Sequence, residues 1–245
     1  MRQERLQTLL RGALRLVYPS RCLTCGGLVE SDHGLCGPCW RDTPFLGGLC
    51  CDLCGVPLPG QSDVAEHCDA CRAQERLWAQ GRAALLYKGN GRKLVLMLKH
   101  ADRTDIAGPA ARWMARGLQG LDAGTLVVPV PLHLRRHLRR RFNQSALLAQ
   151  GVAEALDLEW CPDALRRHRH TPVLDGRGRE ERFRTLSDAI AADPKRGGLF
   201  RDRPVLLVDD VMTSGATLSA ATEACLEAGA ADVCVCTLAR VVKDT

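Results

Sequence analysis

Apolar and polar positions follow two different periods along the C-terminal two thirds of the chain. Short unbroken apolar runs predict strands at Ala83–Tyr87, Leu126–Val130, Val205–Val208 and Val233–Leu238, the pattern of strands buried on both faces of a parallel sheet. Between them, apolar residues recur at helical spacing near 91–100, 107–119, 143–157 and 215–228. In the last of these, Leu218, Ala221, Thr222, Cys225 and Leu226 share one face, and Gly229 stands where a helix stop is expected. Such alternation predicts an α/β domain over 78–245, with a parallel sheet and crossover helices, long enough to hold a core of its own. The stretch 172–202 has little periodicity and carries Pro172, Asp175-Gly176, Gly178, Pro194 and Gly197-Gly198, so it is read as a loop region near function. At the other end, Leu6, Leu9, Leu10, Ala13 and Val17 fall on one helical face that is expected to pack on the rest of the protein, with contact to a membrane surface as the weaker alternative.

Residues 1–75 lack long apolar runs and hold most of the cysteines. Of 13 cysteines in the chain, eight form four C-x-x-C pairs: Cys22/Cys25, Cys36/Cys39, Cys51/Cys54 and Cys68/Cys71. Two thiolates two residues apart can face one ion, and two such pairs complete a tetrahedral shell, so the segment is read as a small domain held by two structural Zn²⁺. The pairing is sequential, Cys22/25/36/39 and Cys51/54/68/71, or interleaved, and Cys50 next to Cys51 allows a register shift at the third knuckle. The competing reading is a disulfide scaffold, which needs an oxidising compartment. Met1 to Tyr18 alternates Arg with Leu and contains no apolar stretch of the kind that would export the chain, and no stretch is long enough to span a membrane. A cytoplasmic setting is therefore expected.

Charge divides along the same boundary. Residues 1–75 carry seven Lys/Arg against nine Asp/Glu, and the remainder 27 against 19, so the positive excess lies in the α/β part. That balance suits a polyanionic ligand, whether a diphosphate sugar or a nucleic acid.

The chemistry concentrates in residues 205–218, VLLVDDVMTSGATL. Ligands of parallel sheets sit at the carboxyl ends of strands, which places Asp209 and Asp210 at a crevice. The following turn opens a helix, whose free N–H groups and positive dipole end favour a phosphate. Thr213, Ser214 and Thr217 offer hydroxyls, Gly215 and Ala216 little bulk, and Gly215 is expected to allow close backbone approach to the ligand. Two carboxylates would repel a phosphate unless they accept hydrogen bonds from sugar hydroxyls or help hold a hydrated Mg²⁺. The turn has neither the Lys-Ser/Thr pair of a Walker A loop nor the three spaced glycines of a dinucleotide fingerprint. It resembles the 5-phosphoribosyl-1-diphosphate (PRPP) loop of type I phosphoribosyltransferases.

A basic stretch follows the second strand: VPVPLHLRRHLRRRFNQSALLA, residues 128–149, with five arginines from Arg135 to Arg141. Arg136 and Arg140 are candidates to hold a departing pyrophosphate with bidentate, permanently charged donors, and the same cluster could bind nucleic-acid phosphates. Taken with VLLVDDVMTSGATL, the closing Thr237–Arg240 (TLAR), the Tyr18-Pro19 pair, and Tyr87-Lys88-Gly89 leading to Leu98-Lys99, this stretch resembles the ComF family of phosphoribosyltransferase-like proteins, over nearly the whole chain. The resemblance implies an N-terminal double zinc ribbon, a type I phosphoribosyltransferase-like parallel sheet with flanking helices, PRPP with Mg²⁺ as ligand, and a connection with uptake of single-stranded DNA in competence. Lys99 would join Arg136 and Arg140 on the pyrophosphate, Asp209 and Asp210 would fix the ribose, and residues 213–217 would clamp the 5′-phosphate. No residue stands out as the base for an acceptor; His100, His133 and His137 are candidates by location alone. Two classes stay open: a PRPP-dependent transferase, and a non-catalytic PRPP sensor that binds single-stranded DNA or protein partners. The number of subunits cannot be read from the pattern.

Overall fold

The structure, a computed structural model, describes residues 19–30, 34–100, 103–132, 142–168 and 189–242. The Leu6–Val17 face, the arginines from Arg135 to Arg141 and most of the stretch 172–202 lie outside the described residues.

The helices and strands of the α/β part fall close to where the apolar periods place them. In chain order they are β1 (Gln80–Leu86), α3 (Gly89–His100), α4 (Ala107–Arg116), β2 (Leu126–Pro129), α5 (Gln144–Leu156), β3 (Leu165–Arg167), β4 (Ile190–Ala192), β5 (Pro204–Met212), α6 (Ala216–Glu227) and β6 (Asp232–Arg240). Two short helices, α1 (Gly37–Arg41) and α2 (Asp69–Arg72), precede them in the cysteine-rich segment. The main sheet has the order β1-β6-β5-β2 with every pair parallel, as the unbroken apolar runs require. Helices α3, α4 and α5 cover one face over Leu94, Leu98, Ala111, Met114, Leu148 and Val152, together with the sheet residues Leu206, Val208 and Leu238. Helix α6 and the second half of the cysteine-rich segment cover the other face, over Leu126, Val205, Leu207 and Val235. Among the described residues no helix is long and apolar enough to cross a membrane.

The structure differs from the periodic reading in two places. Ile190–Ala192 pairs antiparallel with Leu165–Arg167 inside a region read as loop; two three-residue strands are too short to show a period. Strand β5 continues four residues past Val208, because β6 keeps pairing with it, Asp209 with Thr237 and Met212 with Arg240.

Both edges of the main sheet are partly covered, which shortens its open hydrogen-bonding edges. Phe45 bridges Leu85 antiparallel at the outer edge of β1, with Leu46 N donating to the Ala84 carbonyl and Leu86 N to the Pro44 carbonyl, both at 2.9 Å. At the far edge Trp160 bridges Val127. The cysteine-rich segment is therefore docked on β1. Its Cys51, Cys54 and Cys71 share one core with Trp78, Phe200 and the sheet.

Candidate functional site

Strand β2 stops pairing with β5 at Pro129, opposite Val208. Val130 N still donates to the Val208 carbonyl at 2.9 Å, and beyond that point β5 is paired on the β6 side alone among the described strands. Asp209 and Asp210 are the first residues past this stop, so the crevice opens beside them, as expected for a parallel sheet. The FNQS segment supplies the facing wall. Asn143 caps α5 by accepting from Ser145 N at 3.1 Å and donates its side-chain amide to the Val130 carbonyl at 3.3 Å. That cap places the buried Ser145 hydroxyl 2.8 Å from Asp209 Oδ1, to which it donates. Asp210 N donates to the same oxygen at 2.8 Å. From the last turn of α3, Lys99 Nζ reaches Asp210 Oδ1 at 2.9 Å.

These contacts give the two acids different characters. Lys99 balances the charge of the largely buried Asp210. Asp209 keeps some solvent contact, yet its carboxyl is pushed up to about 7, first by loss of hydration and then by the neighbouring Asp210 charge; the Ser145 hydroxyl and Lys99 act in the opposite direction. A ligand that brings a cation or several hydroxyls to this point would relieve the strain between the two carboxylates.

After Met212 the chain turns through Thr213-Ser214-Gly215 into α6, with Gly215 as N-cap at φ +86. Two buried arginines hold the carbonyl side of this turn. Arg240 Nη1 donates to the carbonyls of Met212 at 3.1 Å and Thr213 at 2.7 Å, and Arg76 Nη1 donates to that of Ser214 at 3.0 Å. The backbone N–H groups of Ser214, Gly215 and Thr217 have no partner among the described residues, as an anion-binding helix start requires. Gly215 serves the back of the loop more than its front: a Cβ there would lie 2.9 Å from Arg76 Nη1 and 3.0 Å from Trp78 Cη2.

The residues brought together are thus Lys99, Asp209, Asp210 and the loop Thr213 to Thr217, while Arg136 and Arg140 lie outside the described residues. Nothing in the local pattern points to Ser145, Arg76 or Trp78. Arg240 closes the TLAR segment, and its role in bracing the loop could not be read from that segment.

The cysteines form two compact groups in the sequential arrangement, Cys22/25/36/39 and Cys51/54/68/71, with all four thiols of each within 4.8 Å of one another. Cys25 Sγ lies 3.7 Å from Cys36 Sγ, and Cys54 Sγ 3.7 Å from Cys68 Sγ. A tetrahedron with Zn–S bonds of about 2.3 Å has edges of about 3.8 Å, so both groups fit the ion. Gly26 and Gly55, at φ +75 and +67, make the tight knuckle turns. Cys50 and His67 stand outside both groups. Two four-cysteine clusters of this form support structural Zn²⁺. Cys225 and Cys236 are sealed in the core, where burial pushes their thiols up to about 12.

Comparison with known proteins finds the same two parts in the same order. Residues 13–72 match the double zinc ribbon domain and residues 143–245 the phosphoribosyl transferase domain. The chain is 32% identical over 235 residues to the DNA utilization protein YhgH of Escherichia coli, covering 93% of this chain and 100% of that one. It is 29% identical over 227 residues to competence protein F of Haemophilus influenzae, covering 90% and 96%, and 27% identical over 223 residues to competence protein ComFC of Bacillus subtilis, covering 87% of each. Among solved structures, the glutamine PRPP amidotransferase of B. subtilis complexed with ADP and GMP aligns with a TM-score of 0.39 at 19% identity, over 58% of this chain and 30% of its own.

Proposed function

We propose that this chain, which belongs to the ComF family of double zinc ribbon proteins with a phosphoribosyl transferase domain, binds Mg²⁺·PRPP at the end of β5 and transfers its phosphoribosyl group to an acceptor in DNA utilisation or competence. The observation that carries the reading is one juxtaposition: paired acids, one neutralised by Lys99 and one held by Ser145, beside a helix start with three amides that have no partner among the described residues. A phosphorylated pentose matches it in order, with hydroxyls to the acids and the 5′-phosphate to the loop. In this reading residues 1–75 are the ribbon unit, residues 78–245 the ligand-binding unit, and the reaction takes place in the cytoplasm.

In the reaction, the bond between ribose C1 and the pyrophosphate oxygen breaks with its electron pair leaving on pyrophosphate, while an acceptor lone pair forms the new bond at C1. Mg²⁺ bound with the ligand supplies charge neutralisation of the diphosphate. Asp209 and Asp210 orient the ribose through its hydroxyls and favour the positive charge that develops on the ring. Thr213, Ser214, Gly215, Ala216 and Thr217 anchor the 5′-phosphate, and Lys99, Arg136 and Arg140 receive the leaving group. The names of the relatives, DNA utilization protein and competence protein, favour a second reading beside it: a PRPP-sensing factor without turnover that binds single-stranded DNA or protein partners.

Incubation of the zinc-loaded protein with Mg²⁺, PRPP and a cell extract separates the two. Pyrophosphate release above that of the extract alone supports the transferase. Saturable PRPP binding without release supports the sensor, and neither binding nor release would overturn both.

A further inference from the structure

We propose that Arg76 is a positioning residue for the loop 213–217, and that through Trp78 it ties the shape of that loop to the second four-cysteine cluster. The inference rests on the reading of 213–217 as a phosphate loop. Arg76 lies just beyond the ribbon and is only 8% exposed. Its guanidinium carbon sits 5.1 Å from the centroid of the Trp78 ring, and its Nη1 donates to the Ser214 carbonyl at 3.0 Å. In a planar trans peptide the C=O and the following N–H point in opposite directions. By holding the Ser214 carbonyl, Arg76 turns the Gly215 N–H away from itself, toward the open side of the loop. Arg240 does the same for the next peptide back, holding the Thr213 carbonyl and freeing the Ser214 N–H. Two arginines behind the loop therefore fix the aim of two donors in front of it.

Arg76 is held in turn from the ribbon. Trp78 is 1% exposed, and its indole N–H donates to the carbonyl of Leu53, which lies inside the knuckle Cys51–Cys54. That knuckle is pressed on β1: Asp52 accepts from Gly81 N at 2.7 Å, and a Cβ on Gly81 would stand 2.2 Å from the Leu53 oxygen. The position of the Leu53 carbonyl is thus set by the knuckle that the ion closes. From the cluster to the loop the path runs Leu53, Trp78, Arg76, Ser214, each step a contact between neighbours. Loss of metal from the second cluster should slacken the loop.

The test uses the full-length, zinc-loaded chain with Arg76→Gln, Arg76→Lys and Trp78→Phe, together with Cys68→Ser to weaken the second cluster. Hydrogen exchange of the Ala216 and Ser219 amides, which donate to Ser214 Oγ and the Gly215 carbonyl, should, without ligand, speed up about tenfold in Arg76→Gln and Cys68→Ser, less in Trp78→Phe, and return toward the parent in Arg76→Lys. Affinity for ribose 5-phosphate should fall about tenfold in Arg76→Gln while affinity for inorganic pyrophosphate, held elsewhere, stays the same. A general structural defect would weaken both ligands. Parent-like exchange and parent-like ribose 5-phosphate affinity in Arg76→Gln would overturn the inference; should that variant not fold, the same result in Trp78→Phe would do so. If the parent protein binds neither ribose 5-phosphate nor PRPP, the phosphate-loop reading fails, and the exchange measurement alone then decides the coupling.

Discussion

Ser145 donates its hydroxyl to Asp209 Oδ1 at 2.8 Å across 64 positions of sequence, joining the start of α5 to the end of β5. It is one of the interactions that favour the charged form of Asp209. Ser145→Ala should therefore raise the carboxyl further and leave its Oδ1 held by the Asp210 N–H without the hydroxyl. The expected result is a loss of about tenfold in Mg²⁺·PRPP affinity at pH 7, with the pH dependence of binding displaced upward, checked by calorimetry from about pH 6 to 8.5.

A carboxyl raised to about 7 also leaves a mark on stability. Between the ordinary range of an aspartate and 7, the folded protein holds a proton at Asp209 that the unfolded chain has released, so stability falls as pH rises through this window and levels off above it. Asp209→Asn removes this contribution. Thermal midpoints of the zinc-loaded protein should decline less from about pH 5.5 to 8 in the variant than in the parent; parallel curves would contradict the placement of the raised carboxyl.

The two clusters should differ in their hold on the fold. Cys51, Cys54 and Cys71 are buried in the core shared with the sheet, while Cys25 is exposed. Cys54→Ser should cost more thermal stability than Cys25→Ser, and purified parent protein should carry about two zinc ions per chain by elemental analysis. Truncating Trp78, which packs in the same core, should cost about 3–5 kcal/mol.

Much of the fold and part of the site were legible in the chain itself, for identifiable reasons. Val205–Val208 is buried on both faces, so its run carries no polar interruption, and four C-x-x-C pairs announce their chemistry by spacing. The acids and loop were legible because they are contiguous. Ser145 and Arg76 were not, since each meets its partner across 64 and 138 positions and neither sits in a pattern that marks the contact. Gly215 was legible as a needed glycine, but its neighbours, Arg76 and Trp78, come from a segment far away in the sequence, just beyond the cysteine-rich part.

The arginines at 136 and 140 bear on the choice between a purely small-molecule site and one that also meets nucleic acid. If they contact single-stranded DNA, replacing both with Ala should weaken binding and make the log–log salt slope shallower by about 1.4, the value for two phosphates on a single strand. An unchanged slope would restrict them to pyrophosphate.

The central claim is that the end of β5 and the loop beyond it grip a phosphorylated pentose, and calorimetric titration of Mg²⁺·PRPP into the zinc-loaded protein tests it most directly. The account predicts one saturable site per chain, abolished in Asp210→Asn while that variant still folds and keeps its zinc. Absence of binding to the parent protein, or equal affinity in Asp210→Asn, would contradict it.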